Sequence, residues 1–268
     1  MKLDAVVSFL NDVDRVVAAG GRTSREFDRI RARWEEFNGK KTSALDRAAE
    51  AVVGDGPTDR FDELRAQALA ELAGPVQLAS VTNHVVGVVG PRLRLEYGKT
   101  AASNHATAAE RFNAAAAQLD AAAGLVALEA SAESVMYATD EVRLAWGDVP
   151  KIAHTLDELG TLVATAAILA GAAPLATEEG RLALVVDPAE AKRRAVWEAW
   201  EDRAGRAGRW GRLLAVGAKV YARPLDEVQA YRKPAPMEVR HVKTGIGWGS
   251  VLVDPEEEDR VTLAPGRG

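Results

Sequence analysis

Apolar residues recur at helical spacing through the first forty positions. The first set consists of Ala5, Val6, Phe9, Leu10, Val13, Val16 and Val17. Gly20 and Gly21 follow this set, and glycine commonly ends a helix. Thr23 and Glu26 have the spacing of a capping box, which predicts a second helix start. A second stripe then contains Phe27, Ile30, Trp34 and Phe37. This pattern predicts two amphipathic helices joined by a short turn.

The next segments predict short helices separated by turn residues. Residues 43–53 and 58–73 each have a helical pattern, and the Gly- and Pro-containing stretch at 54–57 separates them. Residues 75–89 are apolar and rich in Val, so either a helix or a buried strand is compatible with them.

Alanine dominates the middle of the chain. After Pro91, residues 92–97 alternate in a strand-like manner, and an Ala-rich stretch then runs to about Trp146. Ala has the highest helix propensity, so this stretch predicts long helices. Their methyl-lined faces bury little area per residue, so close neighbours are expected. Pro150 predicts a new helix that ends before Pro174.

The C-terminal third predicts a mixture of strands and helices. Residues 181–186 have a strand-like pattern, and Asp187 followed by Pro188 predicts the start of a helix that carries Trp197 and Trp200. Three further strand-like segments lie at residues 238–244, 250–253 and 260–263. Glycine-rich and acidic turns separate these segments, so they predict a small antiparallel sheet, which the strand at 181–186 could also join.

These elements predict a mainly α protein, in which a multi-helix body with long Ala-rich helices carries a small C-terminal antiparallel β element. The body is expected over residues 1–175 and a smaller α/β region over residues 176–268. No long linker forces this division, and a single domain is the alternative.

Composition excludes several classes of protein. Hydrophobic residues make up 47% of the 268 positions and charged residues 27%, which is typical of globular proteins. The net charge of -5 does not favour nucleic acid, and the absence of cysteine excludes disulfides and thiolate metal sites. The N-terminal sequence lacks the apolar stretch of a secretory signal, which predicts a cytoplasmic protein. The uncharged segment 159–177 predicts a core helix rather than a membrane span, because Pro174 shortens it.

Arginine recurs at every third position in one segment. Its members are Arg203, Arg206, Arg209 and Arg212. Arginine pairs well with phosphate, and Trp210 or Tyr221 could stack on a base, so the stripe is compatible with a nucleic-acid contact. The preferred interpretation is a structural or protein-interface role, because a spacing of three distributes the side chains around much of a helix surface.

No catalytic or cofactor motif is complete. Gly98-Lys99-Thr100 lacks the upstream glycine of a phosphate-binding loop, since Leu93 occupies that position. The glycines around Trp248 precede a strand rather than a helix, which excludes a dinucleotide fingerprint. The four histidines, His84, His105, His154 and His241, do not form a metal-binding spacing. We therefore expect neither a cofactor nor a metal.

The sequence as a whole predicts a non-catalytic structural protein that forms a homo-oligomer or part of a larger particle, such as a phage virion. The predicted interface anchors are Trp197, Trp200, Trp210 and Trp248, because large aromatic side chains dominate interface energetics. The alternative is a nucleic-acid-binding or regulatory protein that uses the arginine stripe. A third possibility is an enzyme whose site is assembled from distant residues.

Overall fold

The structure is a computed structural model that describes residues 3–39, 43–53, 60–73, 75–172, 177–244 and 247–256. Within these ranges the chain forms ten α-helices and two antiparallel sheets of two strands each. The predicted class, mainly α with a small C-terminal β element, is confirmed.

The helices account for most of the chain. They are α1 Leu3–Ala18, α2 Arg25–Gly39, α3 Ala44–Val53, α4 Phe61–Ala73, α5 Pro75–Leu125, α6 Ala132–Val135, α7 Asp140–Leu169, α8 Glu178–Val185, α9 Arg193–Glu201 and α10 Gly208–Ala215. The strands are β1 Val186–Asp187, β2 Lys219–Val220, β3 Glu238–Thr244 and β4 Gly247–Val253. Strand β1 pairs with β2, and β3 pairs with β4.

The chain divides into two compact units. The first contains Met1–Ala108 and Thr165–Ala173, and the second contains Ala109–Ala164 and Pro174–Gly268. Helices α5 and α7 each contribute residues to both units. One division, between Ala173 and Pro174, falls near the boundary at residue 175, but Ala109–Ala164 also belong to the second unit. The predicted domain organisation stays a prediction. The sequence pattern shows where a helix lies along the chain. The unit to which each part of a long helix belongs is decided by the residues against which that part packs.

The core of the first unit is built on three aromatic rings. Phe9, Phe27 and Tyr97 meet edge to face, with centroids 5.9–6.4 Å apart. The stripes predicted for α1 and α2 supply most of the side chains around these rings, among them Val6, Leu10, Val13 and Trp34. Helical amphipathicity therefore places this core correctly.

A buried asparagine fixes the turn between α1 and α2. The side chain of Asn104 accepts a hydrogen bond from the Arg22 backbone N–H at 2.8 Å and donates one to the Arg22 carbonyl at 2.9 Å. It also donates to the Tyr97 hydroxyl at 3.2 Å. The helix end predicted at Gly20 is confirmed, and its φ of 99° is one that glycine adopts without strain.

The second unit has a core of large aromatic side chains. Trp210 meets the ring of Phe112 at 5.5 Å and that of Trp200 at 5.8 Å, both edge to face. Asn113 joins α5 to the segment after β2, because its side chain accepts from the Ala222 N–H at 2.7 Å and donates to the Ala222 carbonyl at 3.1 Å. These contacts position helices α9 and α10 against α5.

Two prolines predicted to interrupt helices lie inside them instead. Helix α5 continues through Pro91 and helix α7 through Pro150. The strand predicted at residues 92–97 is therefore wrong, and residues 75–89 are helical. Leu93 and Tyr97 are four residues apart, so they share one helix face, and both are fully buried. Burial of such side chains offsets the cost of a proline in a helix interior, which is about 3 kcal/mol.

The predicted boundaries near residue 187 are also wrong. Helix α8 extends to Val185, so the strand that follows has only two residues. Asp187 does not cap a helix: its side chain accepts from the Ala189 N–H at 3.1 Å within a turn, and α9 begins only at Arg193. Similarly, Ser24 rather than Thr23 accepts the capping bond of α2, from the Phe27 N–H at 3.1 Å.

The predicted C-terminal β element is a single hairpin over the described residues. Strands β3 and β4 pair in antiparallel register from Glu238 opposite Val253 to Thr244 opposite Gly247. Strand β1 pairs with β2 and does not join this hairpin. The third predicted strand, at residues 260–263, lies outside the described residues.

Candidate functional site

The β3–β4 hairpin exposes an apolar cross-strand pair. Val239 lies directly opposite Leu252, and the two residues are 61% and 63% exposed. Glu238 and Arg240 lie on the other face of β3, since side chains alternate along a strand, and their charged groups are 3.2 Å apart. Among the described strands neither β3 nor β4 has a second neighbour. Over the described strands the hairpin therefore has no partner along either edge, and it exposes one apolar cross-strand pair.

Two arginines at the start of α9 tie down the base of this hairpin. Arg194 makes a two-pronged bond to Asp254, from Nε and, at 2.8 Å, from Nη2, which also donates to the Ala235 carbonyl at 2.6 Å. Arg193 Nε donates to Glu256 at 3.0 Å, and Glu256 accepts from the Ala235 N–H at 2.9 Å. This arginine clamp joins both ends of the hairpin to one helix.

The segment leading into the hairpin is held by an aromatic contact. The rings of Tyr231 and Trp197 are stacked with centroids 6.1 Å apart, and Lys233 Nζ lies 4.8 Å from the Trp197 centroid. The Tyr231 hydroxyl donates to the Arg193 carbonyl at 2.6 Å. Burial raises the pKa of Tyr231 to about 12, so this hydroxyl stays protonated and keeps donating at physiological pH.

We expect the arginine clamp to open in acid. The bond from Arg194 lowers the pKa of Asp254 from 3.8 to about 2. Because this pKa is depressed in the folded chain, its stabilising contribution is fully present above pH 3.8 and is lost as the pH falls through about 2. The protection of the hairpin amides from hydrogen exchange, relative to their intrinsic exchange rate at each pH, should therefore fall across this interval.

The substitution Arg194→Gln provides the comparison for that measurement. It removes the two-pronged bond, so the hairpin should exchange faster at neutral pH and lose the acid transition. Arg212→Gln is the control, because Arg212 pairs with Asp202 at 3.1 Å on an exposed surface. An unchanged hairpin in Arg194→Gln would show that the clamp does not hold it.

Three of the predicted interface tryptophans are buried inside the second unit. Trp197, Trp200 and Trp210 are 5%, 5% and 2% exposed. Their surface is therefore already buried within the chain, so these rings have little exposed area with which to anchor an interface. The side chain of the fourth, Trp248 in β4, lies outside the part of the chain that the structure describes.

The arginine stripe does not form one basic face. Arg203 is exposed, but the Arg206 guanidinium stacks 3.5 Å above the Trp146 ring and donates to the Trp146 carbonyl at 2.7 Å. Arg209 is buried, and Arg212 is paired with Asp202. Helix α10 begins only at Gly208, so the regular spacing crosses from a loop into a helix and the side chains diverge.

A glutamate that the sequence did not single out holds the loop before α10. Glu129 accepts from the Arg206 N–H at 2.8 Å and from the Ala207 N–H at 3.1 Å. Gly205 has φ of 91°, and a Cβ there would collide with this carboxylate. The Gly-Arg repeat therefore has a structural reason at Gly205, which is close approach to Glu129.

The described histidines do not assemble a metal centre. Among the described residues no group of three or more potential metal ligands occurs. His154 lies 3.5 Å from Glu158 on the surface of α7, and His84 is exposed. His105 is buried, which lowers its pKa. The side chain of His241 lies outside the described residues.

One helix of the described residues, α7, is long and apolar enough to cross a membrane. Its most apolar window has a mean hydropathy of 1.3, and 33% of that window is buried inside the protein. Core helices of other proteins meet the same criterion of length and composition, so this finding is weak evidence. The absence of a membrane role stays a prediction.

Comparison with protein-family models, with curated proteins and with solved structures finds no match to this chain.

Proposed function

We propose that this chain is a structural subunit that associates with copies of itself through the β3–β4 hairpin. The observation that carries this proposal is the exposed pair Val239 and Leu252 on a hairpin that has no further strand beside it among the described residues. A hairpin of two strands is marginally stable in water on its own. Unpaired strand edges also template the addition of a further strand. A partner strand that pairs with this hairpin would stabilise it and would supply hydrogen-bond partners along its edge.

The sequence of β3 is complementary to itself. In an antiparallel pair of β3 strands centred on Val239, Glu238 of one copy lies opposite Arg240 of the other, and the reverse holds across the two-fold axis. Val239 then lies beside its own symmetry mate, with Leu252 next to it in the same row. The resulting four-stranded sheet aligns one continuous apolar row across the two copies and places opposite charges together.

A second apolar surface lies on helices α3 and α4 in the first unit. Val52, Val53 and Leu69 are 70%, 87% and 60% exposed, and Val52 and Leu69 line a cavity of about 290 Å³. Two distinct apolar surfaces on one subunit allow growth beyond a dimer. A component of a larger particle, such as a phage virion, is the kind of assembly that we propose on this basis.

The nucleic-acid alternative receives less support. Of the four arginines of the stripe only Arg203 is both exposed and without an ion pair among the described residues. A phosphate-tracking surface needs several free cations on one face. A non-catalytic role stays part of the proposal.

The test is the mass of the protein in solution, measured by light scattering at low and high salt. We expect a defined oligomer at both salt concentrations, since apolar contact and backbone hydrogen bonds resist screening while the Glu238–Arg240 pairs contribute little. A monomer at both salt concentrations and at high protein concentration would contradict the proposal. Dissociation by salt alone would show that charge, not the apolar row, holds the subunits together.

A further inference from the structure

Three arginine side chains converge on one cavity in the second unit. Arg181 belongs to helix α8, Arg203 to the loop after α9, and Arg209 to the first turn of α10. The cavity has a volume of about 210 Å³, and the carboxylates of Asp157 and Glu178 also line it. Three cations thus share the cavity with two anions, which leaves one positive charge in excess.

Arg209 is the buried member of these three arginines, and its hydrogen bonding is incomplete. Only 7% of its side chain is exposed, and its Nε is buried without a hydrogen-bond partner. Oxygens of Asp157 and Glu178 lie 4.0 Å from its Nε and Nη1, beyond hydrogen-bond distance. A buried charged donor that lacks a partner costs free energy. The chain therefore leaves part of the hydrogen-bonding capacity of Arg209 unused.

The two carboxylates are held by other donors. Trp210 Nε1 donates to Asp157 and Trp200 Nε1 donates to Glu178, each at 3.1 Å. The Trp200 ring also lies under the Arg209 guanidinium, 4.2 Å from its centre. These contacts hold the Arg209 guanidinium and the carboxylates of Asp157 and Glu178 in place, so the 4.0 Å distances between them are maintained.

The electrostatic environment of Arg209 favours an additional anion. Burial lowers the pKa of Arg209, and the neighbouring charges of Arg203 and Arg181 lower it further, while Asp157 and Glu178 oppose them. Arg209 is also the second residue of α10, close to the positive end of the helix dipole. An anion in the cavity would supply a partner for the buried guanidinium, offset the repulsion from Arg203 and Arg181, and interact favourably with the helix dipole.

From this geometry we infer that the cavity binds a small tetrahedral oxyanion, namely phosphate, either free or as the terminal group of a small molecule. A planar carboxylate matches one guanidinium fork, whereas a tetrahedral anion offers oxygens to arginines that approach from three segments. A volume of about 210 Å³ accommodates such an anion. It is smaller than pockets for drug-sized ligands, which measure about 300–1,000 Å³. This site is separate from the hairpin that carries the proposed assembly.

The test is calorimetric titration of the intact chain with inorganic phosphate, with chloride matched in ionic strength as the blank. We expect saturable binding in the millimolar range or tighter. Arg203→Gln should weaken it about tenfold, which is the usual effect of losing one charge-assisted hydrogen bond. Arg203 is chosen because it is exposed, so its replacement leaves the fold intact. Arg212→Gln is the matched control, since Arg212 is a neighbouring arginine that does not line the cavity.

Two further titrants define the ligand. Phenyl phosphate that binds more tightly than inorganic phosphate identifies a terminal phosphate as the occupant, and weaker binding identifies the free anion. Acetate should bind at least tenfold more weakly than phosphate if the tetrahedral geometry matters. The inference is overturned if phosphate shows no saturable binding, if acetate equals it, or if Arg212→Gln weakens binding as much as Arg203→Gln.

Discussion

Replacing Val239 and Leu252 together with Asp is expected to convert the oligomer that we propose into a monomer whose helical content is unchanged. Both side chains are largely exposed in the single chain, so their loss removes little from its own core. Each apolar cross-strand pair is worth about 0.2–1 kcal/mol, and the variant also sets like charges side by side. The proposed dimer should therefore weaken by about tenfold or more.

Light scattering of the double variant gives the mass, and circular dichroism confirms the fold. Leu144→Asp is the matched control, because Leu144 is a comparably exposed leucine on helix α7, away from the hairpin. The hairpin is excluded as the interface if the double variant remains oligomeric. It is also excluded if Leu144→Asp dissociates the oligomer to the same extent.

Charge reversal tests the register of this pairing. Glu238→Arg should weaken the dimer, because it places a second arginine opposite Arg240 of the other copy, and Arg240→Glu should weaken it in the same way by pairing two glutamates. The combined swap restores opposite charges across the two-fold axis, so most of the affinity should return. If the swap is as weak as the single variants, the strands pair in another register or along another edge.

Replacing Trp210 with Ala is expected to lower the free energy of unfolding by about 3–5 kcal/mol, the usual cost of deleting a fully buried large aromatic side chain. Its ring contacts Phe112 and Trp200, and its indole N–H bonds to Asp157. Removing it leaves a cavity in the core of the second unit and takes away one donor to Asp157.

Urea unfolding followed by circular dichroism measures this loss. Trp146→Ala is the control, because the Trp146 ring is only partly buried and is covered by the Arg206 guanidinium. We expect a clearly smaller loss for Trp146→Ala. Equal losses, or a loss of less than about 1 kcal/mol for Trp210→Ala, would mean that the ring does not carry the core.

Local sequence pattern was sufficient for elements whose formation depends on a single segment. The apolar stripes of α1 and α2 and the turn at Gly20 needed only the helical period and the freedom of glycine. The hairpin β3–β4 was predicted because strand-like segments flank a glycine-rich turn. In each case the signal and the structure lie within about twenty residues of one another.

Elements that depend on distant partners were predicted less well. Pro91 and Pro150 stop a helix by their own chemistry, but burial of Leu93 and Tyr97 in the core of the first unit keeps α5 helical. The tryptophans were predicted at an interface because they are large and aromatic. Only packing could show that Trp197, Trp200 and Trp210 contact other parts of the same chain.

The arginine stripe shows the same difference at the candidate sites. Its regular spacing is visible in the sequence and identifies Arg203 and Arg209 as candidate site residues. The two carboxylates that line the cavity, Asp157 and Glu178, are scattered acids without a motif, so no local signal marks them. Spacing reports which residues share a face of one element, whereas a cavity is formed by several elements.

The sequence by itself determined the mainly helical class, the first two helices and the C-terminal hairpin, because propensity and periodicity act over neighbouring residues. Only the tertiary structure decided which aromatic rings are buried, where the arginines point and how α5 and α7 contribute to two units. Those outcomes depend on side chains that are far apart in the chain and are brought together by burial, which no local pattern encodes.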